Sequence, residues 1–177
     1  MNLIFRKINA NEYLIYRQIR LECLQQYPEY FGSTFEEENA RQELVFEKYI
    51  KEENPDHFMT GAFDNEVLIG ICGFDRQGRN KTKHRGEIVQ MYVNADYANK
   101  KVGANLLITT INYAFINPEI DQITLSFVEG NLNANKLYEN IGFKIYGKIE
   151  RYFKSGNNYS NQCFMILERE NFEGLNK

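Results

Sequence analysis

Glu87-Ile88-Val89-Gln90-Met91-Tyr92-Val93, then Asn94-Ala95-Asp96, then Tyr97-Ala98-Asn99-Lys100-Lys101-Val102-Gly103-Ala104 is the stretch that decides the fold. The first segment reads as an apolar strand, and Val102 to Phe115 reads as an apolar helix. A strand that feeds a short loop into a helix start aims several unpaired backbone N–H groups at one point. The positive end of the helix macrodipole adds to them, so such a junction suits a phosphate or pyrophosphate. Many α/β proteins use the same junction as plain connection, so the downstream sequence has to decide between the two.

Outward from this junction, Leu3 to Ile8 reads as a short strand. Apolar residues Leu14, Ile15, Ile19, Leu21 and Leu24 recur near helical spacing between Asn11 and Tyr27. Thr34 and Glu37 form a capping-box pair ahead of a helix expected to run to about Lys51, where Asn54-Pro55 stops it. Glu36, Glu37 and Glu38 fall in its first turn, where carboxylates suit the dipole. His57–Phe63 and Val67–Phe74 read as strands joined through Asp64-Asn65, and Asp75 to Lys83 as a polar connection. Beyond the central helix come a strand (Ile123–Val128), a short helix (Asn133–Asn140), and a hairpin of Lys144–Phe153 and Tyr159–Leu167 around Ser155-Gly156-Asn157-Asn158. The expected class is α/β in the mixed α+β sense. The order β-α-α-β-β-β-α-β-α-β-β implies one mixed sheet flanked by helices.

Bulk properties narrow the function. A chain of 177 residues, 43% hydrophobic and 25% charged, fits a single domain over residues 1–177 with a core from about 3 to 168. A net charge of −3 argues against nonspecific nucleic-acid binding, which needs a basic footprint. Cys23, Cys72 and Cys163 show no CxxC pair and read as reduced thiols. No apolar run approaches the roughly 20 residues needed to span a bilayer. The start, Met1 to Lys7, lacks the apolar stretch of a signal peptide, so a cytoplasmic protein off the membrane is expected. His57 and His84 are too isolated for a metal site, and no Cys/His pair points to a nucleophilic cysteine. No GxxxxGK[ST] or GxGxxG occurs, which disfavours nucleotide binding by the loop alone.

A second segment, Asn131-x-x-Ala134-x-x-Leu137-Tyr138-Glu139-x-x-Gly142-Phe143, with Tyr146-Gly147 beyond it, adds specificity. Together with the strand–loop–helix stretch, it resembles the GNAT superfamily of N-acetyltransferases, and the element order resembles that family over nearly the whole chain. The resemblance implies acetyl-CoA as co-substrate, no metal, and direct transfer of acetyl to an amine within a ternary complex. It also implies a strand preceding the loop that splays from its neighbour so that pantetheine fills the gap. The family loop, Gln/Arg-x-x-Gly-x-Gly/Ala, falls on Ala98, Lys101 and Gly103; only Gly103 keeps the pattern. Two functional expectations therefore stand: an N-acetyltransferase, or a catalytically weak CoA-binding or regulatory module.

On the resemblance, the backbone from Ala98 through Asn99, Lys100, Lys101, Val102 and Gly103 to Ala104 holds the pyrophosphate. The main chain of Met91, Tyr92 and Val93 meets pantetheine, with the Met91 N–H on the thioester carbonyl. Met91 and Val93 read equally well as strand core. Asn131 and Asn135 are cofactor-side polar groups, although an asparagine at a helix start also caps it. Tyr138 is the expected general acid near the sulfur, since a phenol stays protonated at neutral pH; as a plain residue it would be core packing. Glu87 is the expected general base, near apolar neighbours that raise a carboxyl pKa; otherwise it is a solvated strand-end glutamate. The acceptor amine is expected between the first helices and the last hairpin, walled by Tyr27, Tyr30, Phe31 and Phe35. Glu36 to Glu38 either attract it or simply cap a helix. The oligomeric state is open, a homodimer included.

Overall fold

The computed structural model describes residues 1–98 and 100–175. Seven strands form one sheet: β1 (Leu3–Lys7), β2 (His57–Asp64), β3 (Val67–Arg76), β4 (Arg85–Val93), β5 (Gln122–Val128), β6 (Lys144–Ser155) and β7 (Asn158–Glu168). Their spatial order is β1-β2-β3-β4-β5-β7-β6, and every neighbouring pair is antiparallel except β4 with β5. The helices are α1 (Tyr13–Gln26), α2 (Phe35–Asn39), α3 (Val45–Lys51), α4 (Val102–Phe115), α5 (Leu132–Asn140) and α6 (Arg169–Leu175). Among the described residues no helix is long and apolar enough to cross a membrane.

Side-chain alternation along the strands divides the interior into two cores. One face of the sheet carries Cys72, Phe74, Ile88 and Leu125 against α4 and α5, which contribute Leu106, Leu107, Ile111 and Tyr138. The other carries Met59, Ile71 and Tyr92 against α1 and α3, which contribute Tyr16, Ile19, Leu24, Phe46 and Ile50. The buried residues of α1, Tyr16, Ile19, Arg20, Cys23 and Leu24, follow the i, i+3, i+4, i+7, i+8 stripe of one helical face.

The helix expected from Thr34 to Lys51 is two helices. Thr34 does cap α2, accepting from the Glu37 N–H at 3.2 Å while Glu37 accepts from the Thr34 N–H at 3.0 Å. The chain then leaves the helix so that Leu44, only 3% exposed, can enter the core. Glu47 restarts it as α3 by accepting the Leu44 N–H, while Arg17 of α1 binds Glu47 at 2.8 Å and the Arg41 carbonyl at 2.7 Å. These stops depend on partners distant in sequence, so local periodicity does not reveal them. Two smaller differences concern turns and the end of the chain. Asn65-Glu66, with Asn65 at φ 55°, makes the β2–β3 turn, and α6 follows the last strand.

Glu38 sits under the α2–α3 break, where it binds Arg20 through two hydrogen bonds of 2.9 and 2.6 Å. Burial would raise the Glu38 carboxyl, but the Arg20 guanidinium holds it below the ordinary glutamate range. A depressed carboxylate contributes stability above its unfolded-state pKa, and that contribution disappears as pH falls through the folded value. Glu38→Gln is therefore expected to cost about 3 kcal/mol at pH 7, because it leaves Arg20 buried without a counter-charge. The gap to wild type should narrow in urea melts run at pH 4 and below. A gap that stays constant with pH would exclude this pair as a source of acid lability.

Candidate active site

The site begins where two strands stop pairing. β4 and β5 share a parallel ladder over only three registers, Arg85↔Gln122, Gly86↔Ile123 and Glu87↔Thr124. Beyond Glu87, β4 runs on to Val93 and β5 to Val128 with no register between them among the described residues. Main-chain groups along that edge of β4 are left without a strand partner, a costly arrangement unless water or a ligand supplies one. A bulge in β4 lies along the opening. Gly73 of β3 pairs with Val89 and Ile71 pairs with Tyr92, so Gln90 and Met91 together oppose Cys72. Gln90 takes φ 55° there, and its Oε1 accepts from the Tyr16 hydroxyl at 2.9 Å.

At the far end of β4, Asn94 caps a single turn over Ala95–Tyr97, accepting from the Asp96 N–H at 3.0 Å. The chain enters α4 through Lys101, which stands at φ 59°, ψ 12° in the left-handed region. The family glycine falls on this residue, and lysine keeps the conformation at a cost of roughly 1–2 kcal/mol. No acidic residue occupies the first turn of α4 and no side chain caps it. The Val102, Gly103 and Ala104 amides have no acceptor among the described residues. Lys100 turns its ammonium back onto the Asp96 carbonyl at 3.0 Å and over the Tyr97 ring. Ala98 precedes them with extended backbone at ψ 149°, and Asn99 lies outside the described residues.

Gly103 faces Met91, Val93 and Leu137, and a Cβ there would meet Leu137 and Met91 at 3.6 Å. The end of β4, the start of α4 and the side of α5 thus converge. Asn131 caps α5, accepting from the Ala134 N–H at 3.1 Å. Gly142, at φ 100°, ends that helix and returns Phe143 to the core, where it is 2% exposed. Asn135 carries a buried Oδ1 with no hydrogen-bond partner, an atom that calls for an N–H donor. Free helix-start amides, an unpaired strand edge and this orphan acceptor suit an extended, amide-bearing chain ending in a diphosphate.

That description fits coenzyme A, and sequence comparison agrees. The model of the acetyltransferase (GNAT) family matches residues 19–143, well over half of the chain. The chain belongs to the GNAT family. N-alpha-acetyltransferase 30 of Dictyostelium discoideum is 30% identical over 95 residues, which are 54% of this chain and 50% of that protein. The chain thus spans half or less of the length of the curated relatives it matches. A GNAT acetyltransferase from Streptococcus pneumoniae superposes with TM-score 0.83 at 17% identity, covering 94% of this chain and 99% of that one. A structure from Salmonella typhimurium solved with its cofactor acetyl-CoA gives 0.74 at 14% identity, covering 94% and 93%. Likeness at this identity shows the shared fold. Among the described residues no cluster of His, Cys, Asp or Glu could hold a metal ion.

The two residues expected to do chemistry lie on opposite faces of the sheet. Tyr138 is 6% exposed in the α4–α5 core, beside Phe127 and Phe143. Its hydroxyl has no hydrogen-bond partner among the described residues. Burial, and then the Cys72 thiol, raise its pKa, so the phenol stays protonated. Glu87, the last residue of the β4–β5 ladder, is half-buried and shares the opposite face with Val89, because Gly86 backs onto Phe74 in the α4–α5 core. Burial, and then the Asp75 carboxylate beside it, raise Glu87 above the ordinary range.

On that second face the expected acceptor residues also gather. Tyr27 stacks on Tyr30 at 6.3 Å and tilts against Tyr92 at 6.0 Å, while Phe31 lies under Arg20. Phe35 opens α2 and packs into the α1–α3 core. Gly32 abuts the Phe153 ring of β6, so the α1–α2 segment meets the last hairpin. Of the three glutamates weighed for an amine, Glu37 is exposed but engaged as a cap, Glu38 is buried against Arg20, and Glu36 is exposed outside both contacts. Sequence reasoning missed Glu22 and Gln26, whose side-chain oxygens lie 2.8 and 3.0 Å from the Tyr92 hydroxyl and share its one proton, because their spacing resembles any solvated helix face.

Position 101 contributes a backbone shape. Lys101→Gly and Lys101→Asn are expected to keep the thermal stabilisation by acetyl-CoA, since both residues tolerate the left-handed region. Lys101→Val should lose about 1–2 kcal/mol of stability and most of that stabilisation. If the glycine variant loses the acetyl-CoA response, the lysine charge is the contribution instead.

Proposed function

We propose that this chain is an acetyl-CoA-dependent N-acetyltransferase acting on a primary amine of a small molecule or protein, by direct attack in a ternary complex. The observation that carries this reading is the parting of β4 from β5 beside the uncapped amide end of α4. Residues 1–177 act as one domain in this proposal, with a sheet built from Leu3 to Glu168. A cytoplasmic location accords with Cys23, Cys72 and Cys163, which are unpaired and buried.

Acetyl-CoA supplies an activated thioester; this chain's residues position it and move protons. The Val102–Ala104 amides, with Ala98, Asn99, Lys100 and Lys101 around them, take the diphosphate. The main chain of Met91, Tyr92 and Val93 binds the amides of the thiol arm, and the Met91 N–H faces the thioester oxygen, where negative charge grows. Asn135 Oδ1 accepts one N–H of that arm, and Asn131 holds the start of α5 in place. Glu87 removes the proton from the amine nitrogen, reaching it from the α1–α3 face. Tyr138, on the α4–α5 face, donates from its hydroxyl to the departing sulfur. Tyr30, Phe31 and Phe35 wall the acceptor side.

A general base works only when unprotonated, and Glu87 is held above its ordinary range. The kcat/KM profile should therefore rise with pH along an acidic limb lying above the ~4.3 of a free glutamate. Glu87→Gln should remove the limb and lower kcat/KM about 100-fold. Tyr138→Phe should lower kcat by a similar ~100-fold while leaving the melting temperature unchanged or higher, since its hydroxyl has no internal partner. Both are read by thiol release over a panel of amines and N-terminal peptides. Full turnover by the phenylalanine variant would remove Tyr138 as the acid. A protein stabilised by neither acetyl-CoA nor CoA would leave only the fold.

A further inference from the structure

The strand registers place His57, Asp75 and Glu87 side by side on one transverse row of the sheet. His57 of β2 is the cross-strand partner of Asp75, and Asp75 of β3 is the partner of Glu87. All three stand on the α1–α3 face: Met59 and Val89, two residues along from His57 and Glu87, pack there, and Tyr49 of α3 stacks on His57 at 4.7 Å. The His57 ring Nδ1 and the Asp75 carboxylate are hydrogen-bonded. Asp75 is thus pinned between a ring held by stacking and the half-buried Glu87. The Asp75 side chain is 48% exposed, and His57 is the group that holds it. Like charges directly opposite on a sheet are unfavourable, so setting Asp75 opposite Glu87 carries a cost.

We propose that Asp75, fixed by His57, is a positioning residue that strengthens Glu87 as the base which takes the amine proton. The inference rests on Glu87 having that role. An immobile negative charge beside Glu87 stabilises its protonated form, the product of proton abstraction. Freed from His57, the Asp75 side chain would swing to solvent, where water and salt screen it.

Most other charged and titratable groups on this face are already engaged, Arg85 being the exception. From α1, Arg17 binds Glu47 of α3, Arg20 binds Glu38 of α2, Tyr16 binds Gln90, and Tyr13 lies under Lys51. On β4 itself, Arg85 stands two residues before Glu87, with a buried Nε that has no hydrogen-bond partner. The β5 neighbour is the uncharged Thr124, which donates to the Gly86 carbonyl. Asp75 is therefore the carboxylate through which the row acts on Glu87.

The test reads Glu87 directly and then through turnover. Carboxyl-carbon NMR titration of the full chain should show Glu87 titrating at lower pH in Asp75→Asn than in wild type. The acidic limb of kcat/KM should move the same way, with several-fold lower kcat/KM at neutral pH and little change in KM for acetyl-CoA. His57→Leu should give the same displacement in part. His57→Asn, whose side-chain nitrogen stands where Nδ1 did, should restore the wild-type profile. An unmoved Glu87 titration in Asp75→Asn overturns the proposal even if activity falls. If Glu87 moves as expected but Glu87→Gln keeps full activity and the limb, the coupling stands and the base assignment fails. A poorly folded Asp75→Asn is replaced by Asp75→Ser, read in the same two ways.

Discussion

Three parallel registers hold β4 to β5, and the whole arrangement depends on where they end. A parallel pair needs a crossover, and here α4 supplies it, so the start of α4 must lie at the far end of β4. Because the ladder stops at Glu87 and both strands continue, the opening widens toward that helix start. A longer ladder would satisfy the edge of β4 internally and close the gap between the two strands. A shorter one would detach β5, β7 and β6 from the rest of the sheet. The antiparallel β5–β7 and β3–β4 ladders on either side fix both arms, so the gap is built into the rigid sheet.

The opening makes sense of the two cores. Gly103, Leu137, Asn135 and Tyr138 belong to the α4–α5 face, and Glu87, Gln90, Phe31 and the Tyr92 side chain to the α1–α3 face. The proposed direct transfer needs both reactants held together, and a gap in the sheet is where groups of the two faces can meet. The bulge serves the same geometry. By inserting Gln90 it keeps Gln90 on the α1 side with Val89, returns Met91 to the α4 side, and puts Tyr92 back against α1. Were the same residues laid down in plain alternation without the bulge, every side chain beyond Val89 would change faces.

What the sequence made legible follows from the range of the interactions involved. The α4 span Val102–Phe115 and its strand Glu87–Val93 were readable because apolar periodicity is a local signal, and both elements appear where that signal places them. The Thr34–Glu37 cap was equally local. The break at Ala40–Leu44 was hidden because Arg17 and the core position of Leu44 decide it from far along the chain. The fates of Glu36, Glu37 and Glu38 diverge for the same reason: adjacent residues on a helix point to different partners, and only the tertiary structure says that one of them meets Arg20. The His57–Asp75–Glu87 row is a matter of strand register, which composition cannot fix, so His57 reads as isolated until β2, β3 and β4 are laid side by side.

Lys101 shows where residue pattern and physical requirement separate. Judged by residue type, the loop departs from its family at two of three positions, with a side chain where the family pattern has a bare glycine. The dihedrals tell a different story, since Lys101 adopts the left-handed conformation that glycine supplies cheaply, and α4 still begins at Val102 with its amides free. A requirement written as glycine is therefore a requirement for a backbone shape, which another residue can meet at a cost of one or two kcal/mol. Such strain persists only where the surroundings hold it. Here the buried Val102 on one side and the turn capped by Asn94 on the other pin the segment at both ends.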